Sequence, residues 1–466
     1  MRRALIAVTS VPVLLLGYGV ADAYDRVPGV LTINRAVSQE VPQPQEITPV
    51  LPAVTTQAPI PSGNGIEAAL ADDVTDPWLG KRVGVVVRDA LTGDVLYALG
   101  QDRPITPAST AKLLTAAAVS QRADLDGVMT TTVVRGQQPD QLVLVAAGDT
   151  MLAQGAGDPT AVEGRAGLAD LAAQVAESLQ AKGENATFSL RLDMTYAHGP
   201  RYAPTWDMAD VAAGYTQGVT MIGLAGERPK PFDASPKFPE KSVLNAFVKQ
   251  LDKIGVKAEA DLEPDTWLTP APQGAPTLGA VDSAPLGDVL ALALDDSDNA
   301  LTENVARQAA IADGAGASFA EVATWVQSTL TAAGIDLTGV KLLDSCGLSS
   351  GQLVPARVLS EVIQLAITGP ATSMTGILAD LPVAGLTGTL HDRFDAKASS
   401  GAAGVARAKT GTLTGTSTLA GTTTTADGRL LTFVILADRV PSTTGTLGAR
   451  AVLDRMVADL TECGCR

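Results

Sequence analysis

With 466 residues, 46% of them hydrophobic and 18% charged, the chain can bury large cores and is not disordered throughout; its length suits about two or three domains. A mean hydropathy of +0.18 with one long apolar run excludes a polytopic membrane protein, and 34 Lys plus Arg against 50 Asp plus Glu, net −16, argues against nucleic acid as a partner. Two histidines and three cysteines (Cys346, Cys463, Cys465) are too few for a His-rich metal site or a disulfide framework.

In chain order, Arg2-Arg3, an apolar run over 4–20 and the small residues of Ala21-Asp22-Ala23 read as a signal peptide or an uncleaved anchor over 1–23. Either way the positive charges ahead of the run predict that the rest is exported to the outer face of the membrane or the wall space. Residues 24–75, with Pro42, Pro44, Pro49, Pro52, Pro59 and Pro61, read as a Pro-rich tether, and folded structure is expected from near Trp78. The runs Lys81–Val87 and Val95–Tyr97, split by Asp89–Asp94, predict a hairpin; the Ala- and Leu-rich stretch after Ser109 predicts a core helix. Ala406–Thr410, Thr416–Thr424 and Leu430–Ala437 predict three strands, and Gly445–Leu460 a closing helix. Between them the composition shifts to short β-like runs and one Ala-rich helical piece, Leu168–Ala181. The expected architecture is a domain split over 76–121 and 284–466, with a β-rich module inserted over 122–283.

Three motifs carry the chemistry. Ser109 is the only serine with a lysine three residues on, and that spacing puts the Lys112 amine on the same helix face, within reach of the hydroxyl: a nucleophile with its base. Ser297-Asp298-Asn299 offers a hydroxyl, Ser297, to relay a proton to a leaving amine and an amide, Asn299, to hold a substrate backbone. Lys409-Thr410-Gly411, on a predicted strand, offers a cation and a hydroxyl for a terminal carboxylate, and a glycine that would let substrate add to the strand edge. The backbone N–H groups of Ser109 and Thr412 would form the oxyanion hole.

In this order the motifs resemble the penicillin-recognising serine enzymes. The long interval between Ser109 and Ser297 is similar to the D-alanyl-D-alanine carboxypeptidase/endopeptidase family, peptidase family S13. So are Ala147–Leu152, Gly199-Pro200-Arg201 with Trp206, Asp344–Ser349, Leu381–Gly385 and Gly388-Thr389-Leu390; Cys346 departs, standing where that family usually has serine. The resemblance implies an α+β, β-lactamase/transpeptidase-like domain, an antiparallel sheet covered by helices. It implies a serine-type D-Ala-D-Ala carboxypeptidase, also cutting cross-links, that acts on peptidoglycan stem peptides through an acyl-enzyme and is blocked by β-lactams. Such acylation needs no metal or cofactor.

Two other readings compete. A penicillin-binding wall sensor would keep the three motifs with little turnover. An α/β-hydrolase would use Ser349 in the elbow Gly347–Gly351 with Asp380 and His391, and it requires a strand over Val340–Leu343 and a helix directly after the serine, where Pro355 intrudes.

Overall fold

The computed structural model describes residues 57–369 and 373–464; the expected signal or anchor, most of the tether, and Cys465 lie outside them. The first described elements are α1 (Gly63–Leu70), β1 (Arg82–Asp89), β2 (Val95–Leu99) and α2 (Lys112–Arg122). Next come β3 (Thr130–Arg135), β4 (Gln141–Val145), α3 (Leu168–Gln180), β5 (Phe188–Asp193), α4 (Met208–Ala212), α5 (Pro239–Lys253), β6 (Ala258–Ala260) and β7 (Thr277–Asp282). The chain continues through α6 (Leu286–Asp295), α7 (Asn299–Ala312), α8 (Phe319–Ala332), α9 (Ala356–Thr368) and α10 (Ser373–Ala379). It closes with β8 (Arg407–Leu413), β9 (Thr416–Thr424), β10 (Leu430–Asp438) and α11 (Gly445–Glu462).

The first sheet runs β2-β1-β10-β9-β8, every neighbouring pair antiparallel, so strands from both ends of the chain meet at β1 and β10. Its unbroken apolar run in β1 follows from burial of both faces. Val85 and Val87, in register with Ile435 and Phe433, pack with Val452, Leu453 and Met456 of α11. Val86, in register with Val434, packs on the other face with Leu113 and Leu114 of α2 and Val358 of α9. Every residue of α2 from Lys112 to Ser120 is buried, as an Ala- and Leu-rich helix without a polar face requires. A lysine on such a helix is carried into the interior.

Two expectations are corrected. The tether read to residue 75 gives way to folded chain well before Trp78. Ser62 caps α1 by accepting from Gly65 N at 3.1 Å, and Ile66 and Leu70, one turn apart on one face, are wholly buried in the core beneath the first sheet. Arg455 of α11 then ties down Asp73 and Asp76 with 2.8 Å ion pairs.

The stretch read as a β-rich module forms a second sheet, β6-β5-β4-β3-β7, but a mixed one. β4, β5 and β6 are mutually parallel neighbours, a pairing that requires crossovers, and α3 and α5 supply them. α5 was not anticipated, although Pro239 at its first turn and Val243, Leu244, Phe247 and Leu251 along one buried stripe carry the signal. The core of this layer also takes in Phe319, Cys346 and Leu348 from the chain that follows it.

Candidate active site

Ser109 lies half-buried in a short 3-10 turn, Ala108–Ala111, that feeds α2. Ala108 ahead of it takes a left-handed φ of +47°, a strained conformation for a residue with a Cβ. The Pro107 carbonyl accepts from Thr110 Oγ1 at 2.6 Å and from Thr418 Oγ1 at 2.8 Å, fastening the turn to β9. β8 presses on the same turn: a Cβ at Gly411 would stand 2.1 Å from Thr418 Oγ1 and 3.1 Å from Ser109 N. Gly411 is thus required for packing of β8 against the Ser109 turn.

Lys112 is completely buried, and its Nζ lies 3.0 Å from Ser109 Oγ, 2.5 Å from Asn299 Oδ1 and 2.7 Å from the Cys346 carbonyl. Burial lowers its pKa; Cys346, Asp344, Asp298 and Glu303 oppose that shift without cancelling it. The arrangement favours a neutral amine beside a hydroxyl.

Ser297-Asp298-Asn299 is a junction between two helices. Asp298 N donates to Ala293 O at 3.0 Å and Ser297 N to Leu294 O at 3.3 Å, a Schellman ending in which Ser297 takes the left-handed position at φ +57°. Glycine would occupy that position at less cost, so Ser297 carries backbone strain here. Asp298 caps α7 by accepting from Leu301 N at 2.9 Å, and Asn299 opens the helix. Arg228 holds Asp298 Oδ2 through Nε at 3.1 Å and Nη2 at 2.9 Å, and Tyr215 O accepts from Asn299 Nδ2 at 2.8 Å. Both partners come from the chain between the two halves of the first sheet's domain.

Lys409 and Thr410 are buried on β8, at the outer edge of the first sheet, and Thr412 is exposed two residues on. Lys409 Nζ donates to Thr410 O at 3.0 Å; burial, with the Lys112 charge adding to it, drives its pKa well below 10.5. Thr410 Oγ1 donates to Thr389 Oγ1 at 2.9 Å, a site neighbour that motif reading did not single out as functional.

The carbonyl that Lys112 meets belongs to a loop wound round one carboxylate. Asp344 accepts from the backbone N–H groups of Cys346 (3.2 Å), Gly347 (2.8 Å) and Ser349 (2.7 Å), from Gln352 Nε2 (2.7 Å) and from Trp206 Nε1 (2.8 Å). Gly347, at φ +90°, is packed so closely that a Cβ would stand 2.0 Å from Ala108 O. Glu303, Asp344 and Cys346 place potential ligand atoms within 4.8 Å of one another, but Asp344 is already saturated by donors and burial pushes the Cys346 thiol up. They form a hydrogen-bonded cluster rather than a metal cradle.

Burial and the Asp344 charge raise the Glu303 pKa to about 8. Since the folded state holds this proton more tightly than an ordinary carboxyl at 4.5, the stability it confers is complete below 4.5 and is lost as pH rises to about 8. Glu303→Gln should therefore gain in Tm relative to the parent chain between about pH 5 and about pH 8, as calorimetry at several pH values would read; a constant difference would contradict this.

A profile of the D-Ala-D-Ala carboxypeptidase 3 (S13) family matches residues 66–227 and 225–461. The chain is 35% identical over 467 residues to carboxypeptidase DacB of Mycolicibacterium smegmatis, covering 100% of this chain and 98% of that one. The chain belongs to the S13 family. A carboxypeptidase of Mycobacterium tuberculosis is 36% identical over 428 residues, 91% of this chain and 89% of its own. The crystal structure of penicillin binding protein 4 from Haemophilus influenzae superposes with a TM-score of 0.66 at 18% identity, covering 84% of this chain and 98% of that one, and supports the same fold.

For this S13 chain the hydrolase alternative loses its geometry. Ser349 is wholly buried, its Oγ accepting from Thr205 Oγ1 at 2.6 Å. Among the described residues no strand leads directly into it, since Lys341 makes only an isolated bridge to Leu353, and the next helix waits until Ala356. His391 is exposed, its Nδ1 lying 2.9 Å from Gly388 O.

Proposed function

We propose that this S13 carboxypeptidase removes the terminal D-alanine of peptidoglycan stem peptides through an acyl-enzyme on Ser109, and that β-lactams acylate the same oxygen. The observation that carries this reading is the buried Lys112 amine, shared between Ser109 Oγ, Asn299 Oδ1 and Cys346 O. A neutral amine has two N–H bonds and one lone pair. With the two N–H bonds spent on Asn299 and Cys346, the lone pair is left for the Ser109 proton.

Ser109 Oγ then bonds to the penultimate D-Ala carbonyl carbon while its proton passes to Lys112. The developing oxyanion is met by the N–H groups of Ser109 and Thr412. As the C–N bond breaks, the proton reaches the leaving amine by way of Ser297, and D-alanine departs. Water adds to the ester carbonyl, again losing a proton to Lys112, and Ser109 is regenerated.

Lys409 and Thr410 read the substrate's terminal carboxylate. In the empty site burial disfavours a charge on Lys409, so the arriving carboxylate supplies the partner that the ammonium form needs. Cross-link cleavage is possible at the same site because it shares the acylation step, and an exported location follows from the same substrate. Incubating the protein with pentapeptide and cross-linked muropeptides tests the assignment: release of D-alanine supports it, and acylation by penicillin without any D-alanine release would favour the sensor instead.

Amidating the terminal D-alanine of a test pentapeptide removes the charge and keeps the scissile bond. A charge-assisted hydrogen bond contributes roughly 1.5–3 kcal/mol, so the amide should be cleaved about 10- to 150-fold more slowly. Equal rates would show that Lys409 and Thr410 do not read a carboxylate.

A further inference from the structure

Two of the three acceptors around Lys112 are themselves held by one short piece of the inserted chain, the stretch around α4. At its start, Trp206 Nε1 donates to Asp344 Oδ2 at 2.8 Å. Thr205 adds two contacts to the same loop, Oγ1 to Ser349 Oγ at 2.6 Å and its carbonyl to Ser350 N at 3.4 Å. Asp344 in turn gathers the N–H groups of Cys346, Gly347 and Ser349, which fixes the direction of the Cys346 carbonyl. At its end, Tyr215 O takes Asn299 Nδ2 and so turns Oδ1 of the same amide toward Lys112. The four other donors to Asp344 come from its own loop; Trp206 reaches it from a distant part of the sequence.

We propose that the Thr205–Tyr215 stretch is a positioning element of acylation: through Trp206 and Asp344 it aims the Cys346 carbonyl, and through the Tyr215 carbonyl it aims Asn299, so that the Lys112 lone pair is directed at Ser109. The proposal rests on Lys112 acting as the base. It gives the inserted chain a part in the chemistry without contact to the reacting atoms.

The Trp206 N–H does more than hold its own ring in place. Trp206 is buried and packs edge-on against Phe319, with ring centroids 5.2 Å apart, so its apolar body already secures it. The N–H is the part that contacts Asp344, and the packing does not need it. The carboxylate it meets would otherwise be satisfied locally, so losing this one donor should loosen the aim of the loop more than the fold.

The test replaces Trp206 alone with benzothienylalanine, which keeps the bicyclic shape and exchanges the N–H for sulfur. Acylation by a fluorescent penicillin is resolved into the noncovalent dissociation constant and the acylation rate constant. The proposal expects the rate constant to fall about tenfold with the dissociation constant unchanged and Tm lowered by no more than a few degrees, as loss of one oriented hydrogen bond would give. The same replacement is made with Lys112→Ala, whose slow residual acylation is followed by intact mass over long incubations. There the isostere should change the rate less than about twofold, because the group whose aim it disturbs is gone. A Lys112→Ala chain acylating at the parent rate would overturn the base assignment and the proposal with it. With the base assignment intact, a parent-like rate for the isostere, an equal fall in both backgrounds, or a loss confined to the dissociation constant would overturn the proposal alone.

Discussion

Ser109→Ala is expected to abolish the covalent adduct with a labelled penicillin and all D-alanine release, while the protein stays folded. The hydroxyl is half-buried, and Lys112 Nζ lies 3.0 Å from it. Deleting it leaves no orphaned donor, because the two N–H bonds of a neutral Lys112 still meet Asn299 Oδ1 and the Cys346 carbonyl. The stability cost should therefore stay near about 1 kcal/mol, the usual net value of one hydrogen bond. Intact mass with and without penicillin, together with a thermal melt, decides the matter. An adduct persisting in the variant, or found by peptide mapping on Ser349, would contradict the assignment. The second outcome is opposed by the complete burial of Ser349 behind Thr205.

Much of this site was legible in the sequence because short-range rules govern it. Lys112 follows Ser109 at the start of an apolar helix, and a spacing of one turn is enough to bring amine and hydroxyl together. The strands near the C-terminus were legible from β-branched runs and turn glycines, and their register is that of a plain antiparallel meander. What was hidden depends on contacts distant in the chain. That Lys112 would also meet Asn299 and a backbone carbonyl of Cys346 follows from α7 and a loop packing on α2, which no local pattern encodes. Gly411 illustrates the same limit: its residue type announced a close approach, and its packing on the turn at Ser109 depends on strand β8 meeting a distant part of the chain. The segment 57–75 failed for a different reason. Its prolines and low charge suggested a tether, and the pair Ile66 and Leu70 that anchors α1 is too short a pattern to outweigh them. The parallel pairing of β5 and β6 is not legible locally, because it depends on the crossover through α5.

Lys112→Arg is expected to lower the acylation rate by about 10²- to 10⁴-fold, the range that a positioned general base contributes. The substitution keeps a positive charge and hydrogen-bond donors, so it separates charge from basicity. A guanidinium stays protonated at any pH at which the protein is folded, and it has no lone pair to receive the Ser109 proton. Lysine at the same place can lose its proton because complete burial disfavours the ammonium, against the opposing pull of Cys346, Asp344, Asp298 and Glu303. The sign of the pH dependence follows: acylation by the parent chain should rise with pH as Lys112 deprotonates and level off below the ordinary lysine value of 10.5. In Lys112→Arg that rise should vanish, leaving a low, flat profile. Lys409 sharpens the contrast, since a fixed charge at position 112 would repel the ammonium that Lys409 needs in order to hold a carboxylate. Acylation rates for both chains, measured across pH with a fluorescent penicillin, give the answer. An arginine variant within a few-fold of the parent, or a parent profile still rising at the ordinary lysine value, would remove Lys112 from the role of base.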